Sequence, residues 1–234
     1  MSALDWIYPP RCIACGNLMP LNKRRAPLCE NCAGLLAPIA PPVCPRCGAP
    51  AGEPPDALCP SCAGKNFYFS YNRSLFIYED LIREIIHEMK FRNKRANSIG
   101  IAEIFAGAFT EIPDFDFFAP VPMHPGKKRE RGFNQAEDLA KTLSAKTGVP
   151  YLRALRRLRG TPPQSGLSAA RRAENMSGVF AADKNALANI KNKKICLADD
   201  IFTTGATLNE CAKILTENGA FQVSCLTFSI AVKN

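Results

Sequence analysis

The chain has 234 residues, 47% hydrophobic and 22% charged, which fits a soluble globular protein and excludes a disordered one. No apolar run reaches the roughly 18 residues of a membrane-spanning helix, and Met1–Trp6 has neither the basic start nor the apolar stretch of a secretion signal, so a cytoplasmic protein with no membrane insertion is expected. Eleven cysteines and a formal charge of +9 are unevenly placed: eight cysteines lie between Cys12 and Cys62, Val121–Arg172 holds 12 basic and 3 acidic residues, and the rest of the chain is balanced at 18 of each.

The cysteine-rich head contains four pairs of one kind, Cys12-x2-Cys15, Cys29-x2-Cys32, Cys44-x2-Cys47 and Cys59-x2-Cys62. A Cys-x2-Cys turn aims two thiolates at one point, and two such turns supply the tetrahedral set of sulfurs that zinc prefers. The regularity points to a tandem duplication. A disulfide framework is the rival reading, but disulfides rarely persist in a reducing compartment. A head this short and rich in Pro and Gly cannot stabilise itself by apolar burial, and zinc would supply the missing energy. Two structural zinc ions, each held by sequential pairs, are therefore expected, since sequential pairing closes the shorter loops. A rubredoxin-like iron site uses the same four thiolates and stays open as an alternative. Cys196, Cys211 and Cys225 lack this spacing and read as core residues.

After Gly64 the pattern becomes that of an α/β domain. Ser74–Tyr78 reads as a strand, followed by a helical period through Leu81, Ile82, Ile85, Ile86 and Met89. A second helix is expected over Ile99–Phe109, a buried strand over Phe115–Val121, and a helix over Asn134–Lys146 stopped by Gly148 and Pro150. Arg153–Asn175, basic and carrying Pro162, Pro163 and Gly166, reads as irregular and mobile. Within it Arg156-Arg157-Leu158-Arg159 reads as a solvated charged face, with a DNA-contacting patch as the sharper alternative. Lys194–Ala198 is a strand, Thr207–Asn218 a helix and Val223–Val232 a final buried strand. Such alternation implies a mostly parallel sheet flanked by helices, with ligands bound beyond the carboxyl ends of its strands. The division expected is 1–66 for the ribbons and 67–234 for the α/β domain.

The most informative segment starts where the Lys194–Ala198 strand is expected to end. Asp199 and Asp200 follow it, and Thr203, Thr204, Gly205, Ala206 and Thr207 open the next helix. Loop amides and hydroxyls at a helix N-terminus suit a phosphate, and Gly205 lets the backbone come close. Two carboxylates beside a phosphate would repel it unless they accept hydrogen bonds from sugar hydroxyls, with a divalent cation offsetting the charge. A plain helix cap explains one threonine hydroxyl but not the paired acids.

This segment resembles the ribose-phosphate motif of type I phosphoribosyltransferases. The resemblance implies that Asp199 and Asp200 hold the ribose and that Thr203–Thr207 hold the 5′-phosphate of phosphoribosyl diphosphate (PRPP), bound with Mg²⁺. It also implies a pyrophosphate loop at Val121, Pro122, Met123 and His124, with Arg129 and Arg131 beside it in Arg131-Gly132-Phe133-Asn134-Gln135. Gln164, Leu167, Ser168, Arg171, Arg172, Asn175 and Phe180 are similar to the mobile hood, whose arginines would neutralise the leaving pyrophosphate. With the double four-cysteine head, the chain resembles the ComF family (ComFC and GntX-like proteins) over nearly its whole length. That resemblance implies a double zinc ribbon joined to a type I phosphoribosyltransferase domain, and a link to DNA uptake in natural transformation. Lys90 and Phe91 match the family as well.

Two functions follow as expectations. One is a transferase that passes phosphoribosyl from PRPP to an acceptor not legible in the sequence. The other is a non-catalytic PRPP-binding accessory protein that engages single-stranded DNA or a DNA-uptake helicase. The head is only mildly basic, with 6 Lys/Arg against 4 Asp/Glu over Met1–Asn66, so the ribbons carry no strong nucleic-acid footprint.

Overall fold

Apolar strand segments with no polar face must be covered on both sides, and the computed structural model does this with a parallel sheet. It describes residues 9–20, 26–54, 57–91, 94–108, 114–160 and 178–232. The elements run α1 (Glu30–Gly34), β1 (Asn72–Ile77), α2 (Asp80–Phe91), α3 (Arg95–Ala108), β2 (Phe117–Pro120), α4 (Pro125–Arg131), α5 (Gln135–Thr147), β3 (Leu155–Arg157), β4 (Phe180–Ala182), α6 (Leu187–Ile190), β5 (Lys194–Phe202), α7 (Ala206–Glu217) and β6 (Gln222–Ile230). The main sheet has the order β1-β6-β5-β2, every pair parallel.

Alternation along the strands divides the core in two. Cys196 and Ala198 of β5, with Phe76, Phe118 and Phe228, meet the apolar faces of α2, α3 and α5. Ile195 and Leu197, with Val223 and Cys225, meet α7, β3, β4 and α6. Phe105, Phe118, Phe228 and Met89 are fully buried, each contributing about 1.5–3 kcal/mol by leaving water. Cys196, Cys211 and Cys225 lie in this core, as their apolar surroundings in sequence imply.

Several boundaries differ from the sequence reading. The strand read as Lys194–Ala198 continues to Phe202, so Asp199 and Asp200 sit inside it; Asp199 pairs with Thr227 and Ile201 with Ser229. Carboxylates are poor strand residues, but parallel pairing to the long β6 carries the ladder past them. Part of the stretch read as irregular is ordered: Leu155–Arg157 pairs antiparallel with Phe180–Ala182. The hood residues Gln164, Leu167, Ser168, Arg171, Arg172 and Asn175 lie outside the described residues.

The head repeats one backbone pattern twice. Cys12 N–H donates to the Asn17 carbonyl, Gly16 N–H to Cys12 and Met19 N–H to Pro10; the same bonds recur from Cys44 to Ala49, Gly48 to Cys44 and Ala51 to Pro42. Gly16 and Gly48 both have φ of 74°, the left-handed conformation this turn needs. The two ribbons dock differently. The first presses Ile13 against Gly100 of α3, where a Cβ would stand 2.9 Å from the Ile13 side chain, and Asn97 donates to the Ile13 carbonyl at 3.2 Å. The second covers the open edge of β1, a row of unpaired backbone groups needing partners. Asn72 N–H donates to the Arg46 carbonyl at 2.7 Å and Ile39 N–H to Leu75 at 2.8 Å. The fully buried Asn72 side chain donates to the Cys47 carbonyl at 2.9 Å and takes a bond from Thr227 at 3.2 Å.

Candidate functional site

The eight paired cysteines form two clusters, Cys12, Cys15, Cys29 and Cys32, then Cys44, Cys47, Cys59 and Cys62, with each cluster's sulfurs all within 4.8 Å of one another. Cys15 and Cys29 sulfurs are 3.8 Å apart, and Cys47 and Cys59 are 3.6 Å apart. A tetrahedral zinc with Zn–S of about 2.3 Å spaces its sulfurs by about 3.8 Å. A disulfide would bring two of them to about 2 Å, and all eight thiols are free. The donor set therefore fits two zinc ions, paired sequentially. Four thiolates leave zinc no open position, so both sites are structural.

The second feature is a cleft of about 640 Å³ at the carboxyl ends of β5 and β2. Its floor is Asp199 and Asp200. Neighbouring strand residues face opposite ways, and Asp200 meets a cation directly. Lys90, at the end of α2, places Nζ 2.6 Å from Asp200 Oδ2. The approach lies outside hydrogen-bonding angles, leaving that buried oxygen without a hydrogen bond. Burial alone would raise the Asp200 carboxyl, but the Lys90 charge holds it below the ordinary carboxylate range, with Arg131 assisting. Asp199 is the reverse case: burial pushes it well above that range, and the charge of Asp200 adds to the shift. Its Oδ1 accepts from the Asp200 N–H at 2.9 Å.

The wall opposite the acids is built by a helix–turn–helix. His124 caps α4 by accepting the Gly126 N–H at 3.2 Å, and Pro125 occupies the first turn. Gly132 closes α4 with φ of 84°, and Asn134 caps α5 while donating to the Val121 carbonyl at 3.1 Å. Phe133 is buried between them. That punctuation turns Arg131 inward, 8% exposed and held by Gln135 at 2.9 Å. Val121, Pro122, Met123 and His124 all line the cleft, joined by Phe91, Lys127 and Arg157. Arg129 is exposed on α4 and is not among the lining residues. Lys127, not singled out in the sequence, and Arg157, read there as part of a charged run, line the cleft instead. Burial and the nearby charges of Arg131, Lys90 and Arg157 push the Lys127 ammonium below its usual value.

The Thr203–Thr207 loop divides between two cavities. Thr207 faces the cleft, whereas Thr203 and Thr204 line a smaller cavity of about 300 Å³ against Cys59, Ser61, Lys65 and Phe67 of the second ribbon and its exit. Gly205 turns the loop into α7 with φ of 76°, and a Cβ there would lie 2.8 Å from the Phe202 ring. Phe202 in turn sets its edge on Phe69, itself 4.9 Å from Phe67. Gly205→Ala is expected to lower stability by about 1–2 kcal/mol through left-handed backbone and ring displacement together. A wild-type denaturation midpoint would show that the loop is not held this tightly. Phe69 is 1% exposed, in one core cluster with Cys44, Cys47 and Cys62 of the second ribbon.

Residues 3–63 match the family model described as a double zinc ribbon domain, and residues 129–229 match that of a phosphoribosyl transferase domain. The chain is 32% identical over 209 residues to the competence protein ComFC of Bacillus subtilis (strain 168), covering 86% of this chain and 82% of the relative. It is 29% identical over 217 residues to the DNA utilization protein YhgH of Salmonella typhi, covering 89% and 93%. A third relative, competence protein F of Haemophilus influenzae, is 28% identical over 224 residues, covering 91% and 93%. Among the described residues no helix is long and apolar enough to cross a membrane.

Proposed function

The chain belongs to the ComF family, a double zinc ribbon followed by a phosphoribosyltransferase-type domain, and from that premise we propose that its cleft binds PRPP carrying a divalent cation. The observation that carries this reading is one cleft lined by an acid pair, by Thr207 from the first turn of α7 and by the cations Lys90, Lys127, Arg131 and Arg157. The acids accept the ribose hydroxyls, the N-terminus of α7 with Thr207 takes the 5′-phosphate, and Lys127, Arg131 and Arg157 take the pyrophosphate. Arg171 and Arg172 are assigned to the same leaving group on the family resemblance alone. A divalent cation such as Mg²⁺ arrives with the substrate and offsets the charge between the acids and the phosphates.

The chemistry such a site supports is substitution at the anomeric carbon. The bond to pyrophosphate breaks as positive charge develops on the sugar, an acceptor forms the new bond, and pyrophosphate leaves with the electron pair. The site contributes by holding the sugar and stabilising the leaving group, so no covalent participation by the protein is needed. The His124 Nδ1 is already engaged as a helix cap, so it is not assigned a general-base role. A second reading, a PRPP-binding accessory protein of DNA handling, is favoured by the names of the relatives, which concern competence and DNA utilization. Single-stranded DNA and a helicase remain its proposed partners.

Isothermal calorimetry with PRPP and Mg²⁺ tests the shared premise, with saturable one-to-one binding expected. No heat at millimolar ligand would reject it. Pyrophosphate release over a panel of nucleobases and amines then separates the readings: turnover with any acceptor assigns the transferase, and binding with no turnover assigns the accessory role.

A further inference from the structure

Asp200 is buried inside a strand, yet one oxygen of its carboxylate has no hydrogen bond and an ammonium at 2.6 Å. A buried carboxylate depends on such a partner, because a charge in the interior is costly unless it is paired. The cation comes from outside the strand. Lys90 ends α2, keeps 23% of its side chain exposed, and lines the cleft at the level of the acids. The other charged groups around Asp200 are Arg131 of α4 and Asp199 on its own strand, with Lys127 and Glu130 of α4 and Arg157 of β3 further along the wall. From β6 the Ser229 hydroxyl donates to the Asp200 carbonyl, not to its carboxylate. Lys90 is thus the group placed to keep this cleft-lining carboxylate ionised.

We propose that Lys90 is a positioning residue for the sugar-binding acids: its ammonium holds the Asp200 carboxylate charged and presented to the ribose hydroxyls in the free protein. The inference rests on the reading of the cleft as a PRPP site. Remove the ammonium, and burial favours the protonated form of Asp200. A protonated acid accepts fewer hydrogen bonds from the sugar, so the defect must grow as pH falls. This separates positioning from simple packing or a phosphate contact, whose loss costs the same at every pH.

The test compares wild type with Lys90→Met, which keeps the apolar stem, and Lys90→Arg, which keeps the charge. PRPP affinity is measured from about pH 6 to pH 8.5 and expressed as the ratio of variant to wild type at each pH, which cancels the titration of the ligand's own phosphates. Lys90→Met is expected to lose about tenfold more at the acid end than at the alkaline end, and Lys90→Arg to follow wild type. A ratio independent of pH overturns the proposal. Carboxyl-carbon NMR of the ligand-free proteins, with Asp200 assigned by its loss in Asp200→Asn, gives a readout free of PRPP. The Asp200 midpoint is expected at least about one pH unit higher in Lys90→Met, and an unmoved midpoint overturns the proposal. If wild type binds no PRPP, the proposed function fails, and the NMR comparison still decides what Lys90 does.

Discussion

Replacing both acids, Asp199→Asn with Asp200→Asn, is expected to weaken PRPP binding by at least about 100-fold, read by calorimetry. Each carboxylate accepts a sugar hydroxyl in the proposed complex, and a hydrogen bond to a charged group contributes about 1.5–3 kcal/mol. Losing two amounts to about 3–6 kcal/mol, and every 1.4 kcal/mol is tenfold in affinity. Amide side chains keep the size of the acids, so a folded double variant is expected. Undiminished affinity in that variant would remove the acid pair from the site. The single variants should part company in stability. Asp199 is raised by burial and by Asp200, so its ionisation opposes folding once pH exceeds the unfolded value of about 4. Asp199→Asn should therefore raise the thermal midpoint at pH 7, and its Oδ1 can still accept the Asp200 N–H. Asp200 is held low by Lys90, so the stability it contributes is present above about pH 4 and lost as pH falls through the folded value. Asp200→Asn should lower the midpoint at pH 7, because it also strands the Lys90 ammonium.

The contrast between these two neighbours was invisible in the sequence, where Asp199-Asp200 reads as one feature. Their difference comes from strand alternation, which sends one toward α2 and the other toward β3, and so from partners more than forty residues away in the chain. Arg157 shows the same limit. A three-residue strand is too short to register as a pattern, so Arg156-Arg157-Leu158-Arg159 read as a charged run, and only the pairing of Leu155–Arg157 with Phe180–Ala182 turns Arg157 toward the cleft. The choice of Arg129 over Lys127 had a cheaper remedy. Pro125 at a helix start and Gly132 just past its end mark α4 in the sequence, and its helical period sets Lys127 and Arg131, four apart, on one face, with Arg129 on another. By contrast, the cysteine pairs and the Thr-Thr-Gly-Ala-Thr loop were legible because their chemistry is local: each needs particular residues at short spacing. What joins the loop to the ribbon is not local, since Phe67, Phe69 and Phe202 come from separate parts of the chain.

That connection underlies the other large effect. Cys47→Ser is expected to reduce bound zinc from two ions to one per chain, to lower the thermal midpoint by about 10 °C or more, and to weaken PRPP binding. Structural zinc contributes about 10–16 kcal/mol in zinc-finger peptides, comparable to the whole stability of a typical domain, and a chain of this length shifts by about 2–4 °C per kcal/mol. The second ribbon cannot unfold alone. Its Cys44, Cys47 and Cys62 share a core with Phe69 and Phe202, its Arg46 and Cys47 carbonyls satisfy Asn72, and its wall backs Thr203 and Thr204 of the loop that opens α7. Losing it uncovers the β1 edge and frees the ring beneath Gly205. Cys12→Ser provides the control, since it removes the other zinc but leaves these contacts in place. The first ribbon docks through Ile13 on α3, and none of its described residues lines the cleft. Cys12→Ser should therefore lose one zinc and some stability while binding PRPP as wild type does, measured at a temperature where both variants are folded. If the two substitutions weaken PRPP binding equally, the second ribbon has no special hold on the loop. If only Cys47→Ser weakens it, the zinc site of the second ribbon is part of what shapes the proposed phosphate site.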